Sequence, residues 1–326
     1  MKKVLIAILL LGLLPHASAD YIHWVDFRLS APVLRSALEL DMASQGGEQP
    51  LDWIDILALA AAWRGGTGVT VADTQRAAQI LRGDTPPERL PGMAGRCFSY
   101  YRAAYGAALG GLVGHFAIRR TDPQTGEAEW IPAYGLKAFS PIAAGYPWSH
   151  YPDFGAQRSY GYARPHLGND ILGALGTPIC AVEGGTVEAL GWNRYGGWRI
   201  GIRSDDRKRY YYYAHLRKDT PYAEGLAVGQ RVQAGDVIGF MGRTGYSAQE
   251  NVNNIETVHL HFGLQLIFDE SQKECDSEIW IDVYPIIELL ASHCSSVARD
   301  PQTGRWERLY PYCDLDAEPL RSAAAR

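Results

Sequence analysis

The chain has 326 residues, of which 47% are hydrophobic and 21% charged, the balance of a folded protein that can bury a core and not of a disordered one. Its net charge of -5 disfavours nucleic acid and anionic membrane surfaces as partners, because both are held mainly through positive charge. No basic run offsets the deficit locally.

At the start, Lys2-Lys3, an apolar run from Val4 to Leu14 and Pro15-His16-Ala17-Ser18-Ala19 follow the charged, hydrophobic and small-residue order of a secretory signal. Residues 1–19 are therefore expected to be removed after Ala19. The apolar run is shorter than a bilayer crossing requires, so no stable membrane span is expected after cleavage. Loss of two lysines and no acid takes the charge from -5 to -7. The protein is expected to be exported, to the cell envelope or beyond. Its five cysteines, Cys97, Cys180, Cys275, Cys294 and Cys313, are an odd number, so pairing within the chain leaves a thiol over.

Residues 20–140 read as a mostly helical region ending in a hairpin. Ser30 ahead of Pro32 marks a helix start. Leu51 to Trp63 is apolar almost all round and predicts a buried helix. Thr70 with Asp73 resembles an acidic capping box for a helix over Val71 to Arg82, with Gly83 as its stop. A further helix is expected over Phe98 to Leu112. Residues 114–120 and 129–134 flank the turn signal Asp122-Pro123-Gln124-Thr125-Gly126 and predict a β-hairpin. Residues 141–163, rich in Gly, Pro and Tyr, read as a linker.

From Arg164 the texture changes to short β segments between glycine turns: Pro178 to Val182, Gly185 to Leu190, Trp198 to Arg203, Tyr210 to Ala214, Asp236 to Gly242 and His259 to Ile267. This pattern predicts an antiparallel sandwich or barrel. The fold class is thus α+β, with a helical N-terminal region before a mainly antiparallel β domain over residues 164–292. A helix over Tyr284 to Ala291 and a C-terminal tail, residues 293–326, complete the chain; Ala323-Ala324-Ala325 is expected to be disordered.

Two histidines two apart on a strand, His259 and His261, point to the same face, while Leu260 and Phe262 turn to the core. Upstream, His166 and Asp170 add an imidazole and a carboxylate. Two histidines and one carboxylate form a ligand set that leaves catalytic zinc an open position. In Tyr210 to Tyr213, alternation puts two tyrosines on the core face and leaves two to line a groove, with Asn193, Tyr195 and Arg243 as further candidates for its wall.

Arg164-Pro165-His166-Leu167-Gly168-Asn169-Asp170, Tyr213-Ala214-His215-Leu216 and His259-Leu260-His261-Phe262 occur in one order with glycine-rich hairpins between them. The segment from about Phe154 to Leu266 thereby resembles the lysostaphin or LytM type of zinc endopeptidase, which cleaves peptides of bacterial peptidoglycan. The hairpins Ala181 to Val187 and Val232 to Gly239 look like those of the barrel-sandwich hybrid of lipoyl and biotinyl carriers, without a carrier lysine at a hairpin tip. The LytM resemblance implies one zinc ion held by His166, Asp170 and His261, peptidoglycan peptides as substrate, and His215 and His259 as assisting histidines. It leaves open which histidine is the base and which steadies the oxyanion. A non-catalytic LytM-like module that binds the wall or activates other hydrolases is the alternative. The chain departs from the family pattern in a polar insert over Ala248 to Thr257, expected as a loop beside the groove, and in Gly263 after Phe262.

Overall fold

The helices form where sequence supplies both an apolar face and a defined end. In the computed structural model, which describes residues 22, 25–159, 163–273 and 277–317, helix α1 spans Ala31–Ser44 with Pro32 in its first turn. Helix α2, Trp53–Arg64, starts at Asp52, whose side chain accepts a hydrogen bond from Ile54 N, and stops at Gly65 in the left-handed conformation at φ 64°. Ile56 to Ala62 are wholly buried, because α2 lies among α1, α3 (Val71–Leu81) and α4 (Met93–Leu109). Thr70 and Asp73 cap α3 reciprocally, and Asp73 also pairs with Arg64. Helix α4 starts earlier and ends sooner than its sequence pattern predicts. Just beyond its end, Gly111 passes so close to the Glu183 carboxylate and Arg209 that any Cβ there would overlap them.

Strands β1 (Val113–Thr121) and β2 (Ala128–Leu136) form the expected hairpin, with Gly126 at φ 74° in its turn. Beyond it come β3 (Trp148–His150), β4 (Gln157–Arg158), β5 (Arg164–Pro165), β6 (Asn169–Gly173), β7 (Pro178–Cys180), β8 (Gly185–Asn193), β9 (Gly197–Ser204) and β10 (Arg209–Ala214). They are followed by β11 (Arg231–Val232), β12 (Val237–Phe240), β13 (His259–Leu266), β14 (Ile279–Ile281), α5 (Tyr284–Leu290), β15 (Val297–Arg299), β16 (Trp306–Arg308) and β17 (Tyr312–Asp314). The main sheet is antiparallel, in the order β11-β8-β9-β10-β13-β6-β3, with β14 also on β13. The sheets do not close into a barrel.

Alternation divides this sheet into two faces. Ile200, Ile202, Tyr211, Tyr213, Leu260 and Phe262 are buried in the core, leaving the other face of β9, β10 and β13 for Arg199, Tyr210, Tyr212 and His261. One continuous hydrophobic core runs from Val25 in the helical region to Leu290. Arg209, 1% exposed, ties the two together: it donates to Glu183 (2.7 and 3.0 Å) and to the carbonyl of Ala107 near the end of α4 (2.7 Å). A cation at that end also complements the helix dipole.

Two segments carry more order than their composition suggests. Within residues 141–163, read from sequence as a linker, Ile142 and Ala143 are buried and β3 pairs with β6. The backbone explains this, since Pro141 O accepts from Cys180 N and Ala143 N donates to Pro178 O. Within residues 293–326, β15 pairs with β16, and β17 adds to the outer edge of β1. The expected signal, residues 1–19, and Ala323-Ala324-Ala325 lie outside the described residues, as does Cys275. Among the described residues no helix is long and apolar enough to cross a membrane.

Candidate metal centre

Sheet register brings the histidine and aspartate motifs together. On β13, His261 stands opposite Asp170 of β6 on one side and Ala214 of β10 on the other. His166 follows directly on β5. The result is a cluster of three donor atoms: His166 Nε2 lies 2.8 Å from His261 Nδ1 and 3.0 Å from Asp170 Oδ1, and the last two are 3.2 Å apart. These spacings approach the separation of about 3.3 Å between ligands on a tetrahedral zinc with bonds of about 2.0–2.1 Å. Two imidazole nitrogens and one carboxylate oxygen also suit zinc chemically, so the residues fit the ion.

The surroundings orient each donor. His166 Nδ1 lies 3.1 Å from the backbone carbonyl of Asp153 and 3.2 Å from its Oδ2, and the two contacts together keep Nε2 turned to the cluster. Asn169 Nδ2 donates to Asp153 Oδ1, and Arg158 donates both to Asp153 Oδ2 and to Asp170 Oδ2, each at 3.0 Å. Arg158 thus occupies the Asp170 oxygen that faces away from the other two donors. Gly168 is required for space: a Cβ there would come within 2.7 Å of His261 Cε1 and Phe262 O.

Electrostatics match this packing. Burial on its own would lower the His166 pKa, but its bonds to Asp153 and Asp170 outweigh it and lift the pKa to about 9. Burial would raise Asp170, yet the bonds to His166 and His261 hold it well below the ordinary carboxylate range. Burial pushes the His261 pKa down, with Asp170 opposing. In the metal-free cluster the His166 proton offsets the buried acids, and a divalent cation can take over that role.

His215 and His259 lie beside the cluster with ring centroids 4.8 Å apart. Each has its Nδ1 against a backbone carbonyl, of Thr244 and Thr257 respectively, at 2.9 Å. In the neutral ring this makes Nδ1 the donor and leaves Nε2 as an acceptor facing the site. Burial, with His259 and His261 nearby, drives the His215 pKa well below its ordinary value. His215 also holds the left-handed conformation at φ 61°, rare for a residue with a Cβ and typical of functional sites.

The cluster opens into a cleft. Tyr210, Tyr212, Asn193 and Tyr195 line it, in keeping with the alternation of the tyrosine run, and Arg164 packs over the rings of Tyr195 and Tyr246. Arg243 does not reach this wall; it donates to Ile255 O instead. The insert acts at one remove: Asn254 bonds Tyr246 O, and Asn251 accepts from Trp198 Nε1. His150 bonds Asn169 Oδ1 and stacks on Tyr284 behind the site, while His115 lies in the N-terminal hairpin against Asp316. Sequence reasoning missed Asp153, Arg158, Arg199, Gln265 and Trp280. Alternation carried a signal for Arg199, beside Ile200 and Ile202, and for Gln265, four residues after His261 on the same strand; the others sit at positions with no motif spacing.

Residues 164–274 match the model of Peptidase family M23. Among curated proteins, the chain is 35% identical over 177 residues to an L-Ala--D-Glu endopeptidase of Bacillus subtilis, covering 51% of this chain and 52% of the relative. It is 37% identical over 98 residues to lysostaphin of Staphylococcus staphylolyticus, covering 30% of this chain and 18% of that protein. The chain thus spans about half the length of the first relative and under a fifth of the second. The catalytic domain of the antimicrobial peptidase lysostaphin from Staphylococcus simulans aligns with a TM-score of 0.33 at 28% identity, covering 44% of this chain and 92% of that one. By the family match, residues 164–274 carry an M23 domain with the ordered motifs of the LytM type.

Proposed function

We propose that this chain, whose residues 164–274 form an M23 domain, is a zinc-dependent endopeptidase that hydrolyses peptide bonds in peptidoglycan stem peptides or cross-bridges. The observation that carries this reading is the convergence of His166 Nε2, Asp170 Oδ1 and His261 Nδ1 beside two further histidines, His215 and His259, whose Nδ1 atoms are held by backbone carbonyls. Relatives named as an L-Ala--D-Glu endopeptidase and as lysostaphin support the substrate class. Such a substrate also fits an exported or envelope-located protein.

In this reading His166, Asp170 and His261 hold one zinc ion. When bound, zinc lowers the pKa of a coordinated water and polarises the scissile carbonyl. The protein does the rest. Asp153 fixes the His166 ring and Arg158 fixes Asp170, so the donor set needs little rearrangement. His215 and His259 present two imidazoles beside the reacting centre, with rings 4.8 Å apart. One Nε2 takes a proton from the attacking water and can pass that same proton to the leaving amine; the other ring steadies the oxyanion through Nε2 only in its protonated form, since its Nδ1 proton is engaged by a backbone carbonyl. Tyr210, Tyr212 and Tyr195 border the groove in which the peptide lies.

The test is incubation of purified murein with the mature protein, with and without a metal chelator, followed by mass analysis of the released peptides. The proposal expects defined peptide products that disappear with chelator. Intact murein under both conditions, with the protein shown to bind it, would instead identify a wall-binding or hydrolase-activating module.

A further inference from the structure

Beyond His261 the cleft holds charged and polar side chains to which no step above is assigned. Its floor is the outer face of β9, β10 and β13. Ile200 and Ile202 turn into the core, so Arg199 faces the cleft beside Tyr210, Tyr212, His261 and Gln265. Tyr213 is paired with Ile200 and Ala214 with His261. The same register carried one residue further sets Arg199, Ala214 and His261 in one row across the sheet. At ordinary strand spacing, Arg199 is about 10 Å from His261 at the backbone, with only an alanine between them.

The charged groups along the cleft differ in how they are committed. Arg158 is bonded to Asp153 and Asp170, Arg164 lies over two tyrosine rings, and Glu278 accepts from Trp280 Nε1. Arg199 has no acidic partner among the described residues, and its Nε is buried without any hydrogen-bond acceptor. A guanidinium donor removed from water is costly until an acceptor is brought to it. The planar fork of arginine suits a carboxylate in particular.

We infer that Arg199 binds a carboxylate of the substrate, so that the preferred substrate is an acidic peptide and not a neutral glycine chain. The distance to His261 places that carboxylate within about three residues of the bond cleaved, at about 3.3–3.6 Å per extended residue. The inference rests on the peptidase reading for the orientation of the peptide, while the carboxylate site itself can be measured without turnover.

The experiment uses zinc-loaded full-length protein carrying His215→Ala, to prevent cleavage, and compares L-Ala-γ-D-Glu-L-Lys having a free α-carboxylate with the same peptide amidated there and with pentaglycine. Calorimetry should show the free acid binding about 10- to 100-fold more tightly than the amide, the gain expected of a charge-assisted hydrogen bond. Adding Arg199→Gln should equalise acid and amide, and Arg199→Lys should restore part of the difference. Equal binding of acid and amide where Arg199 is intact, no binding of the acid, or a preference that survives Arg199→Gln at unchanged melting temperature overturns the inference. A carboxylate preference without turnover by the unsubstituted protein would retain this site and remove the peptidase reading; turnover without preference would do the reverse.

Discussion

Asp153 holds His166 Nδ1 through both its backbone carbonyl, at 3.1 Å, and its Oδ2, at 3.2 Å, and these contacts turn the opposite ring nitrogen towards Asp170 and His261. The acid lies in a stretch that looks like a connector, yet it sets the orientation of the first residue of the cluster. Replacing it with Asp153→Asn keeps the shape and removes the charge. Zinc affinity should fall by about 10- to 100-fold, the usual cost of losing such a partner, as read by competition with a coloured chelator. An unchanged affinity would mean that the backbone carbonyl orients the ring without the carboxylate.

Gly168→Ala tests packing at the same place. The added methyl would meet His261 Cε1 and Phe262 O at 2.7 Å, and both belong to β13 in the centre of the sheet. The variant should lose about 1–3 kcal/mol of stability and bind zinc more weakly, because His261 has to move. Chemical denaturation and zinc titration of the same sample check both effects; wild-type values in both would show that β13 can yield without cost.

Zinc binding should depend on pH through His166. Its pKa in the metal-free protein is lifted to about 9, and the ring must lose its proton before Nε2 can ligate. Apparent zinc affinity should therefore rise by about tenfold per pH unit from about pH 7 and level off near pH 9. The sign for the metal-free fold is opposite. A raised histidine pKa contributes stability that is fully present below about 6.5 and lost as pH rises through about 9. Zinc titrations and metal-free melting curves across that range should slope in opposite directions, and a flat affinity profile would contradict the assignment.

Arg209→Met tests the junction between helices and sheet. It leaves the Glu183 carboxylate buried without its guanidinium and frees the carbonyl of Ala107. Unfolding by urea should show a loss of about 3–5 kcal/mol, partly recovered in Arg209→Met/Glu183→Gln, which removes the unpaired charge. A loss below about 1 kcal/mol would show that the core alone holds the two parts together.

Much of this architecture was legible in the chain because local chemistry decided it. Thr70 with Asp73, the Asp122 to Gly126 turn, and the alternation through Tyr210 to Tyr213 and His259 to Phe262 each specify structure within a few residues. The meeting of His166 and Asp170 with His261 was legible only through the order of the motifs, since their contact spans more than ninety residues. Asp153 and Arg158 were not legible: they lie among Gly, Pro and Tyr residues, and their partners are supplied by the sheet. Likewise nothing near Tyr312 signals that β17 will pair with β1, and Trp280 reaches the cleft only because β14 docks on β13. Pairing between distant segments depends on the packed core and leaves no periodic mark on either segment.

The central claim, metal-assisted hydrolysis with separate binding and proton-transfer histidines, is tested most directly by measuring zinc content and peptide release together in wild type, His261→Ala and His215→Ala. About one zinc per chain is expected in wild type and in His215→Ala, with a sharp loss in His261→Ala and release of murein peptides by wild type alone. Folded wild type that binds no zinc yet releases peptides, or His215→Ala that retains full turnover, would contradict it.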